Sequence, residues 1–448
     1  MLSVLRNSTY RRLFTAQVVA LAGTGLATVA LSLLAYDIGG ADAGSVLGTA
    51  LALKMTAYVV IAPLAGAVAD RVPRRALLVA DLLRAAAALA LPFVSQVWQV
   101  YVLILLLQAA SAAFTPVFQA TLPQVLPEER DYTRALSLSR LAHDLESLLS
   151  PALAAALLTV LPSAWLFAGT AAGFLASAAL VVSVALPTPV PAEGGGGGYA
   201  RAVFGARLFR ATPRLRALLA VDLAVAAGGA LVFVHTVVLV RDHFARGAGA
   251  VSLALGAYGA GSMLTALLLP RLLRGAADRA VMLPAAFALP ALLGAVAVLA
   301  STADGGWWAF LAVWTGIGAA CSAASTPAGR VIRRSTADRD LTAAFAARFS
   351  LSHGCWLVTY PLAGWLGAGA GLPVAAAVLG AVALAAALAA AAVWPARDPA
   401  RLDHAHPELP PGHPHLADAR PAPDGWRHGH HYVIDRHHHS WPTPGRAS

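Results

Sequence analysis

The segment Arg140-Leu141-Ala142-His143-Asp144-Leu145-Glu146-Ser147 packs two acids, a base and a histidine into eight residues. On a helix, Arg140, Asp144 and Ser147 fall at i, i+4 and i+7, and Ser139, His143, Glu146 and Ser150 at i, i+4, i+7 and i+11. Arg140–Asp144 therefore reads as an internal ion pair. His143 and Glu146 share a face and can take a proton or a divalent cation together. A second concentration of chemistry lies near the C-terminus. Ten of the 14 histidines are there: His404, His406, His413, His415, His428, His430, His431, His437, His438 and His439. Imidazole binds nickel, cobalt, copper and zinc, and His404-x-His406, His413-x-His415 and His428-x-His430 are local chelating pairs. Lys54, Asp222 and His353 are isolated polar residues in apolar surroundings. Lys54 is expected to offset one of the two acids, Asp144 or Glu146, or to contact an anionic group. Asp222 is expected to be a second titrating site and His353 a further candidate, with His235 read as structural. The loop Gly66, Ala69, Asp70, Arg71, Arg74, Arg75, followed by Asp81 and Arg84, sets acids beside a cluster of arginines.

The elements that carry these groups follow from composition. Of 448 residues, 58% are apolar or aromatic and 12% are charged. A soluble domain carries about 25% charged residues. A water-facing surface cannot be built from so few, so a soluble enzyme is excluded and a polytopic membrane protein is expected. Apolar runs fall at about 13–36, 46–69, 76–95, 99–120, 135–161, 164–186, 216–240, 248–270, 281–301, 306–328, 342–368 and 371–394, each long enough to cross a bilayer of about 20 residues per span. Span 5 places Asp144 and Glu146 roughly 13–17 Å deep, where each charge costs about 2.5–3.5 kcal/mol. A transport role is the expectation for these acids.

Charge gives the orientation. Of 31 arginines, 26 lie in the N-terminus, the even-to-odd loops, the centre and the tail. The positive-inside rule then puts both termini in the cytoplasm, in a bacterial-type inner membrane. Trp98, Trp165, Trp307 and Trp308 fall at outer ends. The only lysine, Lys54, is followed by Met55, so no Walker A loop exists and secondary transport is the remainder. Cys321 and Cys355 form no disulfide framework.

The expected organisation is a six-helix bundle (1–186), a cytoplasmic linker (187–215) with Gly194 to Gly198 and a basic amphipathic stretch, a second six-helix bundle (216–394), and a His-rich tail (395–448) expected to be unstructured. The halves repeat. Tyr10-Arg11-Arg12-Leu13, Gln17 and Gly23 match Leu215-Arg216-Ala217-Leu218, Asp222 and Gly228 at an offset of 205. Thr115-Pro116 matches Thr326-Pro327, and His143 and Pro151 match His353 and Pro361. Parallel repeats place a substrate site near mid-membrane between the halves. The fold class read from this is all-α, with twelve transmembrane helices in two parallel six-helix repeats.

On these motifs the chain resembles a major facilitator superfamily transporter over residues 1–394. The Gly66 to Arg75 loop is similar to the family's Gly-x-x-x-Asp-Arg-x-Gly-Arg-Arg, with Pro73 in place of the usual Gly. The resemblance implies a gate in that loop. The Tyr-Arg-x-Leu opening, Asp81/Arg84 and Pro213-Arg214-Leu215-Arg216 resemble the EntS and macrolide-efflux branch, which implies export. The span-4 arginine of the family is replaced by Leu105, and the span-5 antiporter motif is reduced to Ser150-Pro151. The tail is similar in composition to that of NreB-type nickel-resistance permeases.

Two functions follow as expectations. The first is a proton-coupled exporter of nickel or cobalt, the tail collecting nickel, cobalt or zinc and Glu146, Asp144 and His143 passing the cargo on. The second is proton-coupled efflux of drugs, macrolides or siderophores with a regulatory tail. A membrane metal sensor is a third class, disfavoured by the Asp70 gate and the mid-membrane acids. The expected partners are lipid, protons and the substrate, with no nucleic acid and no second subunit.

Overall fold

A computed structural model describes residues 2–61, 64, 75–128, 131, 135, 138, 139, 142, 146, 150, 153, 154, 156–184, 198–273, 275–302, 306–337, 340–396, 401–406, 410, 413, 416, 418–423, 425–430, 432–434, 438 and 441. Long helices dominate, because with no water in the hydrocarbon every backbone N–H and C=O must be paired within its own segment.

In the first half, α1 (Ser8–Gly39) is capped by Asn7, whose side chain accepts the Tyr10 N–H at 3.0 Å. Then come α2 (Ala43–Thr56), which continues as a π turn over Ala57–Ile61, α3 (Arg75–Ala90), α4 (Val97–Val125) and α5 (Ala164–Val182). Between α4 and α5 the described residues Ala135, Leu138, Ser139, Ala142, Glu146 and Ser150 are helical. A short helix, α6 (Gly198–Ala211), precedes the second half. That half holds α7 (Pro213–Val238), extended by a π turn over Leu239–His243, α8 (Ala248–Leu272), α9 (Asp278–Ser301), α10 (Trp307–Ser325), α11 (Ala328–Ser335), α12 (Leu341–Gly369) and α13 (Leu372–Val393).

Ten of these helical stretches are long and apolar enough to span a membrane. α12 has the length, at 29 residues, but is more polar because it packs between the halves. The packing repeats itself. α1 lies on α5 as α7 lies on α13, α3 lies on α5 as α9 lies on α13, and α2 lies on α4 as α8 lies on α10. Two six-helix repeats of one design account for this.

The halves close on each other on the side away from the termini. There α2 and α12 approach through glycine: a Cβ on Gly48 would sit 2.7 Å from the Tyr360 carbonyl oxygen and 3.0 Å from Gly364 Cα. Trp365 Nε1 donates to Thr49 Oγ1 at 3.3 Å. At the same mouth the Tyr36 hydroxyl donates to Asp242, and the Arg241 guanidinium lies 5.5 Å over the Tyr36 ring. The offset of 205 that relates α1 to α7 also relates Tyr36 to Arg241 and Asp37 to Asp242. The two repeats thus meet there through equivalent positions.

The tail is not the featureless segment expected from composition. β1 (Leu402–His406), β2 (Arg420–Ala422) and β3 (Gly425–His430) form an antiparallel sheet in the order β1-β3-β2. Low hydrophobicity argued against a core, but paired strands and stacked imidazole and aromatic rings supply local order without one. Trp441 brings the tail to the start of α7, where the Arg214 guanidinium sits 5.3 Å over its ring.

Candidate functional site

A cavity of about 160 Å³ lies between the halves. From α1 it is lined by Gly25, Thr28, Val29 and Ser32, from α2 by Lys54, and from the fifth predicted span by Glu146 and Ser150. The second half adds Phe233, Thr236 and Val237 from α7, Leu255 from α8 and Tyr360 from α12. Helical spacing brings these together: Gly25, Thr28, Val29 and Ser32 form one stripe of α1. Gly25 has no side chain because Glu146 and Ser150 pack against that point, with Glu146 Oε1 3.0 Å from where a Cβ would stand.

Two ionisable groups share this space. Lys54 and Glu146 lie within electrostatic reach of one another, and Ser150 Oγ donates to Glu146 Oε1 at 3.5 Å. Lys54 makes no hydrogen bond or ion pair with any described residue. Of the lining residues from the second half none is charged, and the wall there is aromatic. Trp356 stacks near Tyr360 at 5.0 Å and near Phe233 at 6.1 Å.

Asp222 is placed elsewhere. It is buried in a two-point ion pair with Arg348 of α12, at 2.9 and 3.2 Å. Sequence reasoning missed Arg348, although a lone arginine inside an apolar run was the available signal. The first half has a neutral counterpart: Gln17, at the position equivalent to Asp222, accepts from Ser139 at 2.9 Å. In each half the first span is thus tied to the fifth by a polar bond. Asp81 and Arg84 form a buried pair inside the first half. Ser177 donates to Asp81 at 2.7 Å, and the Arg84 guanidinium lies between the rings of Phe114 and Phe174 at 4.4 and 4.5 Å. This pair ties α3 to α5 and α4 and makes no bridge between halves. His235 bonds the Ala363 carbonyl at 2.8 Å, packed against Gly44 and Gly367, as a structural histidine would. His353 lies against Tyr58 and Phe349. Arg140, His143 and Asp144, and Gly66, Asp70, Arg71 and Arg74 of the loop, lie outside the described residues. Arg75 opens α3, exposed.

A profile described as Major Facilitator Superfamily matches residues 13–318. The chain belongs to the Major Facilitator Superfamily. A search of curated proteins finds no match. Solved structures of similar fold include a mutant of the nucleoside transporter NupG, with a TM-score of 0.68 and 13% identity over 86% of this chain and 100% of that one. A bacterial homolog of the human lysosomal transporter Spinster, inward-facing and unoccupied, gives 0.63 and 12% over 87% and 95%. A mutant of the peptide transporter POT gives 0.63 and 14% over 86% and 93%. At such identities the likeness speaks for the fold alone. Membership of this superfamily makes the chain a membrane-embedded secondary transporter rather than an enzyme, with the cavity where parallel repeats place a substrate.

Outside the transporter body, the tail of this superfamily member gathers histidines. His404 and His406 are two apart on β1, and His428 and His430 two apart on β3, so each pair shares a face of its strand. The register sets His404 opposite His428. The ligating nitrogens of these four lie within 4.8 Å of one another. His438 joins them, its Nε2 3.0 Å from that of His404, which is itself 3.0 Å from that of His406. Partial burial and the neighbouring His404 and His430 hold His428 below the ordinary histidine range, which favours the neutral, ligating form. The backbone of His413 bonds that of Pro410 and Leu416. His415, His431, His437 and His439 lie outside the described residues.

Proposed function

We propose that this chain is a proton-coupled secondary transporter that carries a small organic amphiphile through the cavity between its halves. The observation behind this is that Glu146 and Lys54, within electrostatic reach of one another, share a cavity otherwise walled by aliphatic, aromatic and hydroxyl groups. Charges at membrane depth are expensive and mark the pathway of substrate or protons. Glu146 is the group that loads and releases the proton, and alternating access carries it across. Lys54 argues against a bare divalent cation as cargo, since an ammonium in the same cavity repels it. A cavity of about 160 Å³ also suits a compact molecule. Pockets for drug-sized ligands run to roughly 300–1,000 Å³.

A second reading, a nickel or cobalt exporter, is favoured by the tail. The donor set fits such an ion: neutral imidazoles suit nickel, cobalt and zinc, and His404, His406, His428 and His430 would hold it, with His438 beside them. We propose metal binding by the tail under either reading, as collector in one and regulator in the other.

Susceptibility of a sensitive host separates them. The full chain, Glu146→Gln and a deletion of 398–448 are compared against nickel, cobalt, zinc, copper, lipophilic antibiotics and weak organic acids. An organic carrier gives a phenotype with organic compounds that Glu146→Gln abolishes and tail deletion leaves in place. Protection marks export and sensitisation marks uptake. Protection from nickel or cobalt alone, lost on tail deletion, would overturn the organic reading in favour of the metal exporter.

A further inference from the structure

We infer that the cavity between the halves binds a small apolar monoanion, a carboxylate of about the size of one aromatic ring, with Lys54 and Tyr360 as its two anchors. The inference rests on the transport reading above and names the substrate class. Lys54 carries three donors and none is engaged by a described residue. The Tyr360 hydroxyl, on the opposite wall, likewise makes no hydrogen bond with a described residue. The remaining hydroxyls of the lining have their protons placed: Thr28 on the Thr24 carbonyl, Ser32 on the Thr28 carbonyl, Thr236 on the Val232 carbonyl and Ser150 on Glu146. Two donors that no described residue engages, one from each half, therefore face one space. A carboxylate is the group that accepts from both.

The rest of the ligand is set by the walls. Phe233, Tyr360, Val29, Val237 and Leu255 are apolar. A dry apolar cavity of about 150 Å³ accepts benzene, and this one measures about 160 Å³. Held between α2 and α12, the anion would bridge the two halves.

The charges also fix how the anion couples to protons. With both groups charged, the Glu146 carboxylate balances the Lys54 ammonium. A proton on Glu146 leaves Lys54 uncompensated and raises its attraction for an anion. By linkage the anion raises proton affinity equally, so the two travel together. Among the described residues, the other titratable groups in reach of Glu146 are Tyr58 of the α2 extension, with Arg84 behind it, and Tyr360 across the cavity. In the sequence, His143 and Asp144 stand three and two positions before Glu146, outside the described residues.

Three probes with one ring and different charge test this: benzoate, benzyl alcohol and benzylammonium. Their affinities for the purified full-length chain are read from ligand-dependent shifts in thermal stability, at acidic and at alkaline pH. Benzoate is expected to bind tightest, and more tightly at acidic pH. Lys54→Gln should weaken benzoate roughly ten- to a hundred-fold, the value of a hydrogen bond to a charged group, while sparing benzyl alcohol. Should Lys54→Gln not fold, Tyr360→Phe serves, with a smaller loss confined to benzoate. Benzylammonium binding as well as benzoate, or benzoate binding no better than benzyl alcohol, overturns the proposal. So does a Lys54→Gln protein that keeps the benzoate preference. Benzoate preference that is equal at both pH values, with Glu146→Gln inert, keeps the anion site and fails the proton-coupled reading instead.

Discussion

Residues in this chain divide by whether their charge is answered locally. Asp222 with Arg348 and Asp81 with Arg84 are answered, each within one half, at almost no exposure. Removing one member of a buried pair strands the other. Asp222→Asn is expected to destabilise the purified protein by about 3–5 kcal/mol, and the double change Asp222→Leu with Arg348→Met should recover most of it. Thermal stability of the two variants reads this directly. Lys54 and Glu146 are different, because they face a cavity and only each other. Glu146→Gln should leave thermal stability near the parent value and abolish proton movement, followed with a pH-sensitive dye inside proteoliposomes. The span-5 sequence made Glu146 stand out, and it allowed Lys54 to offset one of the span-5 acids. Which acid Lys54 meets was set by the packing of the spans, since nothing linear relates position 54 to position 146.

At the scale of elements, the contact between α2 and α12 sets which side is closed. Gly48 and Gly364 let two backbones meet, and a larger residue at either point cannot be housed without separating the helices. Gly48→Leu should therefore disfavour the closed arrangement. A cysteine pair replacing Thr49 and Trp365, with Cys321→Ala and Cys355→Ala, is expected to cross-link readily in the parent and poorly with Gly48→Leu. The helices α2 and α7 each run into a π turn, at Ala57–Ile61 and Leu239–His243. The first begins three residues after Lys54 and the second carries Arg241 and Asp242. Such turns often mark functional positions, and no sequence periodicity announced them.

At the scale of the molecule, two devices stand at opposite ends. On the side away from the termini, Tyr36 with Asp242 and Arg241 joins the halves. Tyr36→Phe removes a hydrogen bond to a charged group, about 1.5–3 kcal/mol, and should shift the population towards opening by roughly ten-fold or more. Labelling of a cysteine introduced at Thr28, in the Cys321→Ala and Cys355→Ala background, with an impermeant reagent from that side measures the shift. On the other side, the histidine group is expected to bind one nickel ion per chain. His404→Ala should abolish stoichiometric binding in calorimetry. A tail that bound metal only through scattered histidines would lose little in this variant.

The sequence by itself determined the membrane setting, the repeated halves and the family. Those depend on apolar run length, on arginine placement and on motifs a few residues long, all local quantities. It also marked the tail pairs His404/His406 and His428/His430 as local chelators by composition and spacing, while the strands that carry them came only with the fold. What it left open was which distant positions meet. That Asp222 is neutralised by Arg348 rather than free to titrate, that Asp81 and Arg84 tie one bundle internally, that the acid Lys54 confronts is Glu146, and that His404, His406, His428, His430 and His438 gather in one group were decided by the tertiary structure. The physical reason is common to all four. The energy of a charge or a ligand depends on what lies within a few ångströms, and in a helical bundle those neighbours come from spans far apart along the chain.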